Sequence, residues 1–183
     1  MRRSLRGARV DAVTDRRCLI VMRHAKAEPF ASSDHARTLT DRGLASARDA
    51  GAHLRDTKVS LDHAVVSSAV RTRQTWEAVV EVAGFTDVEV SFDDAVFTGS
   101  AEVALEVLQA VPEDARSVMF VGHNPTAAFL CHYLDDGEGD PAAVSAMLRG
   151  FPPGAVALLE LSVRWSELGS ETGRVTDFYV GQG

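Results

Sequence analysis

The chain has 183 residues, 45% apolar and 25% charged, which is enough to bury a substantial core in one domain. Its net charge of −7 argues against a general nucleic-acid binder, and it has no apolar run of the ~18 residues that a membrane helix needs. The charge is uneven: residues 1–17 carry six arginines against two aspartates, a net of +4 that leaves −11 for the rest, so an anionic substrate would need local positive charge at its site.

Residues 1–17 lack a clear period and read as a flexible basic extension, with residues 18–183 forming the folded domain. No apolar stretch follows these arginines, so they do not read as a secretory signal, and the expected location is cytoplasmic. Cys18 and Cys131 lie far apart inside apolar segments and read as reduced, buried thiols. Cys18–Met22 is a short apolar run with the length and type of a buried strand. Thr40 is placed to cap a helix over 41–55, with Leu39 and Leu44 as its hydrophobic staple. A strand at 63–66 leads to a helix at about 69–83, where Trp76, Val79, Val80 and Ala83 share one face.

A shorter strand is expected at 88–92. Ser100 is placed to cap a helix that Pro112 ends, with Ala104, Val107, Leu108 and Val111 facing inward. Residues 117–121 form a third buried strand. Asn124 followed by Pro125 reads as a helix cap with proline in the first helical position. The acidic stretch 135–141 lacks the spacing and final glutamate of a calcium loop and reads as solvated. The last two strands are expected at 155–161 and 174–180. Strands alternating with amphipathic helices specify an α/β domain, a mostly parallel sheet covered on both faces in three layers.

The unusual polar residues fall just after three of these strands. Arg23-His24 ends the first, "SSAVRTRQT" (67–75) follows the second, and "GHNP" (122–125) follows the strand at 117–121. In an open parallel sheet, ligand sites lie beyond the carboxyl ends of the strands. Convergence there would gather Arg23, His24, Arg71 and His123, with Arg73 nearby: fixed positive charge and two imidazoles, suited to a phosphoryl group. A neutral histidine has a lone pair that can attack phosphorus, and adjacent cations lower its pKa. Each residue alone has a plainer reading: a structural histidine, an exposed helix-start arginine, an asparagine cap. It is the joint pattern that points to chemistry. His24, His123 and His132 lack metal-ligand spacing, and no glycine-rich phosphate loop is present.

"VMRHAKAEP" resembles the Arg-His-Gly signature of the histidine phosphatase superfamily, with Ala25 where glycine is commonest. "SSAVRTRQT" is similar to that superfamily's Ser-x-x-x-Arg-x-x-Gln-Thr segment, and "VGHNP" to its second-histidine motif. Within the superfamily, "DHARTLTDRG" (34–43) and the Gly-His-Asn-Pro ending resemble the short phosphohistidine phosphatases of SixA type.

The resemblance implies a phosphoglycerate mutase-like fold and a metal-independent phosphatase without an organic cofactor. It makes His24 the residue that is phosphorylated in the reaction, and Arg23, Arg71 and His123 the phosphate pocket, with Asn124 beside them. The implied substrate is phosphohistidine in a protein. A small phosphomonoester, such as a sugar phosphate or nucleotide, is the alternative, and a non-catalytic phosphate-binding module a third reading. Many relatives carry a glutamate general acid in a longer insertion. Here the corresponding stretch, 90–102, is short, and Asp94 is its best candidate acid, ahead of Asp93 and Glu102.

Overall fold

A computed structural model describes residues 16–183. The expected basic extension therefore lies outside the described residues, apart from Arg16 and Arg17. Arg17 already belongs to the first strand, with its side chain buried.

The chain forms β1 (Arg17–Arg23), α1 (Asp41–Thr57), β2 (His63–Ser67), α2 (Val70–Ala83), β3 (Glu89–Asp93), α3 (Asp94–Thr98), α4 (Ala101–Gln109), β4 (Ser117–Gly122), α5 (Thr126–Leu134), α6 (Pro141–Leu148), β5 (Ala155–Leu161) and β6 (Gly173–Val180). Six strands make one sheet in the order β3-β2-β4-β1-β5-β6. The pairs β3-β2, β2-β4 and β4-β1 are parallel, whereas β5 and β6 close the far side antiparallel. This is the mostly parallel, three-layer α/β/α arrangement expected.

Strand periodicity divides the core in two. On one face Leu19, Val21, Val118 and Phe120 pack with Leu108 of α4, Leu130 and Leu134 of α5, and Met147 of α6. On the other, Ile20, Met22, Met119 and Val121 pack with Leu54 of α1 and Trp76 and Val79 of α2. Because β1 and β4 are buried on both faces, they read in sequence as continuous apolar runs.

Thr40 caps α1 as expected, accepting the Gly43 N–H at 2.9 Å. Gly43 is needed for a second reason: a β-carbon there would overlap the Lys26 carbonyl, so α1 lies directly against the loop that follows β1.

Two expectations are corrected. Asn124 caps nothing. Helix α5 starts at Thr126 with Pro125 in the capping position, and the Asn124 side chain instead donates to the Phe151 carbonyl at 2.8 Å. Ser100 occupies the capping position of α4 as expected but makes no side-chain cap bond, and α4 ends at Gln109, ahead of Pro112. Helices α3 and α6 arise in stretches to which the sequence pattern assigned no element: Asp93 caps the first through Ala95 N–H, and Asp140 the second through the N–H groups of Ala142 and Ala143.

Candidate active site

The strand order places the three polar clusters side by side, because β2, β4 and β1 are consecutive in the sheet and parallel. Their carboxyl ends deliver Ser67, Gly122-His123 and Arg23-His24 to one edge. The His24 N–H continues the β1-β4 ladder, donating to the Gly122 carbonyl at 2.9 Å. The Arg23 and His24 carbonyls in turn accept from Gly154 N–H. His24 therefore stands on a backbone fixed from both sides.

Helix α2 adds the third part. Thr75 accepts the Ala25 N–H at 3.1 Å and donates to the Arg71 carbonyl at 2.6 Å. Gln74 accepts the Leu39 N–H at 2.7 Å. The Gln-Thr pair of "SSAVRTRQT" thus ties the helix that carries Arg71 to the loop that follows His24.

The two imidazoles lie with ring centroids 5.2 Å apart, tilted by 59°. His24 is 8% exposed. Its Nδ1 is 2.7 Å from the Ala25 carbonyl, which can only accept, so Nδ1 carries the proton and Nε2 keeps its lone pair. Burial pushes the His24 pKa down to about 4, and Arg71, Arg23 and Arg37 add to this against the opposing carbonyl bond. At neutral pH His24 is an uncharged imidazole with a free Nε2.

His123 is oriented by the same kind of bonding. Its Nδ1 lies 3.2 Å from Arg71 Nη2, and guanidinium nitrogens only donate. Nδ1 is therefore the acceptor, and Nε2 carries the proton that goes to Ser67 Oγ at 2.7 Å. Burial, then the neighbouring His24 and Arg71, holds its pKa down to about 3. The Phe97 ring of α3 packs against His123, with centroids 5.7 Å apart, and also meets His35 edge-on.

Arg71 is buried at the centre. It donates through Nη1 to the Asp34 carbonyl at 2.6 Å and through Nη2 to Asp34 Oδ2 at 3.0 Å. Arg23 donates to the Phe151 carbonyl at 3.0 Å, beside Asn124 on the same acceptor. Arg73, by contrast, lies over the Phe92 ring and bonds the Ser68 carbonyl.

Arg23, His24, Arg71, His123 and Asn124 are thus brought together, and Asp94 is not bonded to any of them. Asp94 is exposed at the start of α3. The carboxylate that does reach the cluster is Asp34, and the Arg37 and Arg71 guanidiniums hold its carboxyl below the usual carboxylate range. Asp34, Ser67 and Phe97 were not singled out from the sequence. The first two sit inside segments whose pattern had drawn notice, but their partners are remote along the chain.

Among the described residues no group of His, Cys, Asp and Glu could hold a metal ion, and no helix is long and apolar enough to cross a membrane. A neutral imidazole flanked by two guanidiniums at the carboxyl edge of a parallel sheet is a site for handling a phosphoryl group.

The chain belongs to the histidine phosphatase superfamily: residues 19–96 match the model of that superfamily's branch 1. The fold is phosphoglycerate mutase-like, and the protein is a phosphatase. It is similar to a candidate phosphohistidine phosphatase SixA from Nakamurella multipartitia at 32% identity, with a TM-score of 0.78 over 91% of this chain and 96% of that one. A protein histidine phosphatase SixA solved with tungstate superposes with a TM-score of 0.72 at 25% identity, covering 89% of this chain and 96% of its own. The phosphohistidine phosphatase SixA of Escherichia coli K12 is 29% identical over 124 residues, which is 67% of this chain and 77% of that one.

Proposed function

We propose that the protein removes the phosphoryl group from phosphohistidine in a protein, through a phosphohistidine formed on His24. The observation that carries this reading is the pairing of a nucleophile with a carboxylate that two arginines keep from serving as an acid. His24 offers a free Nε2 beside Arg71 and His123, while the carboxylate nearest the cluster, Asp34, is held ionised by two arginines. Expelling an alkoxide at neutral pH benefits strongly from a positioned acid. The imidazole of a phosphoramidate is a far better leaving group and needs less help.

In the first step the Nε2 lone pair attacks phosphorus, and the phosphorus–nitrogen bond to the substrate imidazole breaks. Arg23 and Arg71 balance the charge on the phosphoryl oxygens, and they do so without a metal. For Arg71 this means exchanging Asp34 Oδ2 for a phosphoryl oxygen. In the second step a water oxygen attacks the phosphohistidine, releasing inorganic phosphate and restoring His24. Over the cycle, water supplies its hydroxyl to phosphorus and one proton to the released imidazole. Asn124 braces Arg23 through their shared acceptor, the Phe151 carbonyl. The protein acts in the cytoplasm in this reading, where its two free thiols stay reduced.

A substrate panel tests the proposal. A phosphohistidyl protein and free phosphohistidine should be turned over with kcat/KM at least tenfold above any sugar phosphate or nucleotide. Selective hydrolysis of a sugar phosphate, with no action on phosphohistidine, would replace this reading with that of a small-molecule phosphomonoesterase.

A further inference from the structure

Next to the phosphate pocket lies a cavity of about 750 Å³, and Arg23 and Asn124 form part of its wall. A phosphoryl group needs only a small fraction of that space. The volume falls in the range, roughly 300–1,000 Å³, of sites that take up a whole organic ligand or several side chains. The other walls are Phe151, Phe178 and Tyr179, with Arg149 at the end of α6.

Phe151 and Phe178 pack edge to face, and the Tyr179 hydroxyl is bonded away to Asp49 at 2.6 Å. Besides the amides of Asn124 and Gln182, the cavity is therefore lined by aliphatic and aromatic residues and two arginines. No aspartate or glutamate is among its lining residues. The nearest carboxylate through these contacts, Asp49, is already occupied by Tyr179 and the Gln182 N–H.

Arg149 is exposed, and its side chain donates to the Ser145 hydroxyl at 3.0 Å and has no ion-pair partner among the described residues. Leu148, beside it, is 67% exposed. A free cation next to an exposed leucine, on the rim of an aromatic cavity that opens onto the phosphate pocket, is complementary to an acidic stretch of polypeptide. The chain as a whole repels such a partner, since its net charge is −7, so attraction has to be local.

We propose that this cavity holds the polypeptide flanking the phosphorylated histidine, and that Arg149 makes the enzyme prefer acidic flanking residues. The inference rests on the reading of the site as one for protein-borne phosphohistidine.

The test uses two phosphohistidyl peptides of equal length, one with two glutamates on each side of the phosphohistidine and one with glutamines. The quantity measured is the ratio of their kcat/KM values, which cancels any general damage to a variant. The wild type should favour the glutamate peptide by about threefold to fivefold at low salt, the size of an exposed charge pair, and the preference should shrink as salt is added. Arg149→Ala should bring the ratio to about one, Arg149→Glu below one, and Arg149→Lys should keep most of it. A wild type active on both peptides without preference, or an Arg149→Ala variant that keeps the wild-type ratio, would overturn the subsite. A wild type inert on both peptides is a different failure: it would overturn the substrate reading beneath it.

Discussion

Ser67 is the sharpest place to perturb the site, because it is fully buried and its hydroxyl accepts the proton that Arg71, a donor at Nδ1, leaves on Nε2 of His123. Ser67→Ala removes the acceptor 2.7 Å from Nε2 while leaving Arg71 as a donor at Nδ1. The imidazole then either keeps its proton on an unpaired Nε2 or moves it to Nδ1, against a guanidinium that cannot accept it. Orphaning a buried donor costs about 1–3 kcal/mol. His123 is only half-buried, so the lower part of that range applies, about 1–2 kcal/mol. Felt in the transition state, this is about a 5- to 30-fold loss in kcat. Steady-state kinetics on a phosphohistidyl peptide should show the loss, and two-bond nitrogen–proton correlations of the ring should show Nε2–H in the wild type and a shifted tautomer balance in the variant. Ser67→Thr, which keeps the hydroxyl, should recover most of the rate. An unchanged kcat in Ser67→Ala together with an unchanged Nε2–H tautomer would show that Ser67 does not support His123 in the reaction.

Asp34→Asn removes a negative charge that competes for Arg71. Because the Asp34 side chain is 58% exposed, the gain is modest: tungstate or inorganic phosphate should bind up to about fivefold tighter by calorimetry, and weaker binding would contradict the competition. Acid should destabilise the fold through the histidines. His24 has an ordinary pKa of 6.5 that falls to about 4 in the folded chain, so the unfolded chain binds the extra proton first and stability is lost as pH drops from above 6.5 toward 4. Between pH 7.5 and 4.5, urea unfolding of the wild type should lose on the order of 2 kcal/mol more than that of His24→Asn, and equal losses would remove His24 from the linkage. Gly43→Ala drives a β-carbon into the Lys26 carbonyl and should cost about 1–3 kcal/mol of stability by denaturant titration, with kcat/KM falling as the loop after His24 shifts. An unchanged melting curve would show that α1 can move away freely.

Much of this was written locally in the chain. The runs at 18–22 and 117–121 read as buried strands because β1 and β4 are covered on both faces, which leaves no polar alternation to confuse them. His24, Arg71 and His123 stood out because each follows such a strand, and the parallel order β2-β4-β1 then brought them together. What stayed hidden depended on remote partners. Asn124 before Pro125 has the local form of a cap, and only the fold reveals the Phe151 carbonyl that claims its amide. Asp94 has the sequence position of a candidate acid because the superfamily that the sequence resembles carries one in that part of the chain. The carboxylate on Arg71 comes from Asp34, in the loop after β1, through a contact with no sequence period. Helix α3 is too short to show an amphipathic repeat, yet it supplies the Phe97 ring against His123.

The proposed chemistry depends on a bond between His24 and phosphorus. Rapid mixing with a phosphohistidyl peptide labelled in its phosphoryl group, followed by alkaline quenching within the first turnover, tests it directly. The enzyme should carry label that is base-stable and acid-labile, maps to His24, decays as inorganic phosphate appears, and is absent from His24→Ala. Steady turnover by the wild type with no label on His24, or with label on another residue, would contradict it.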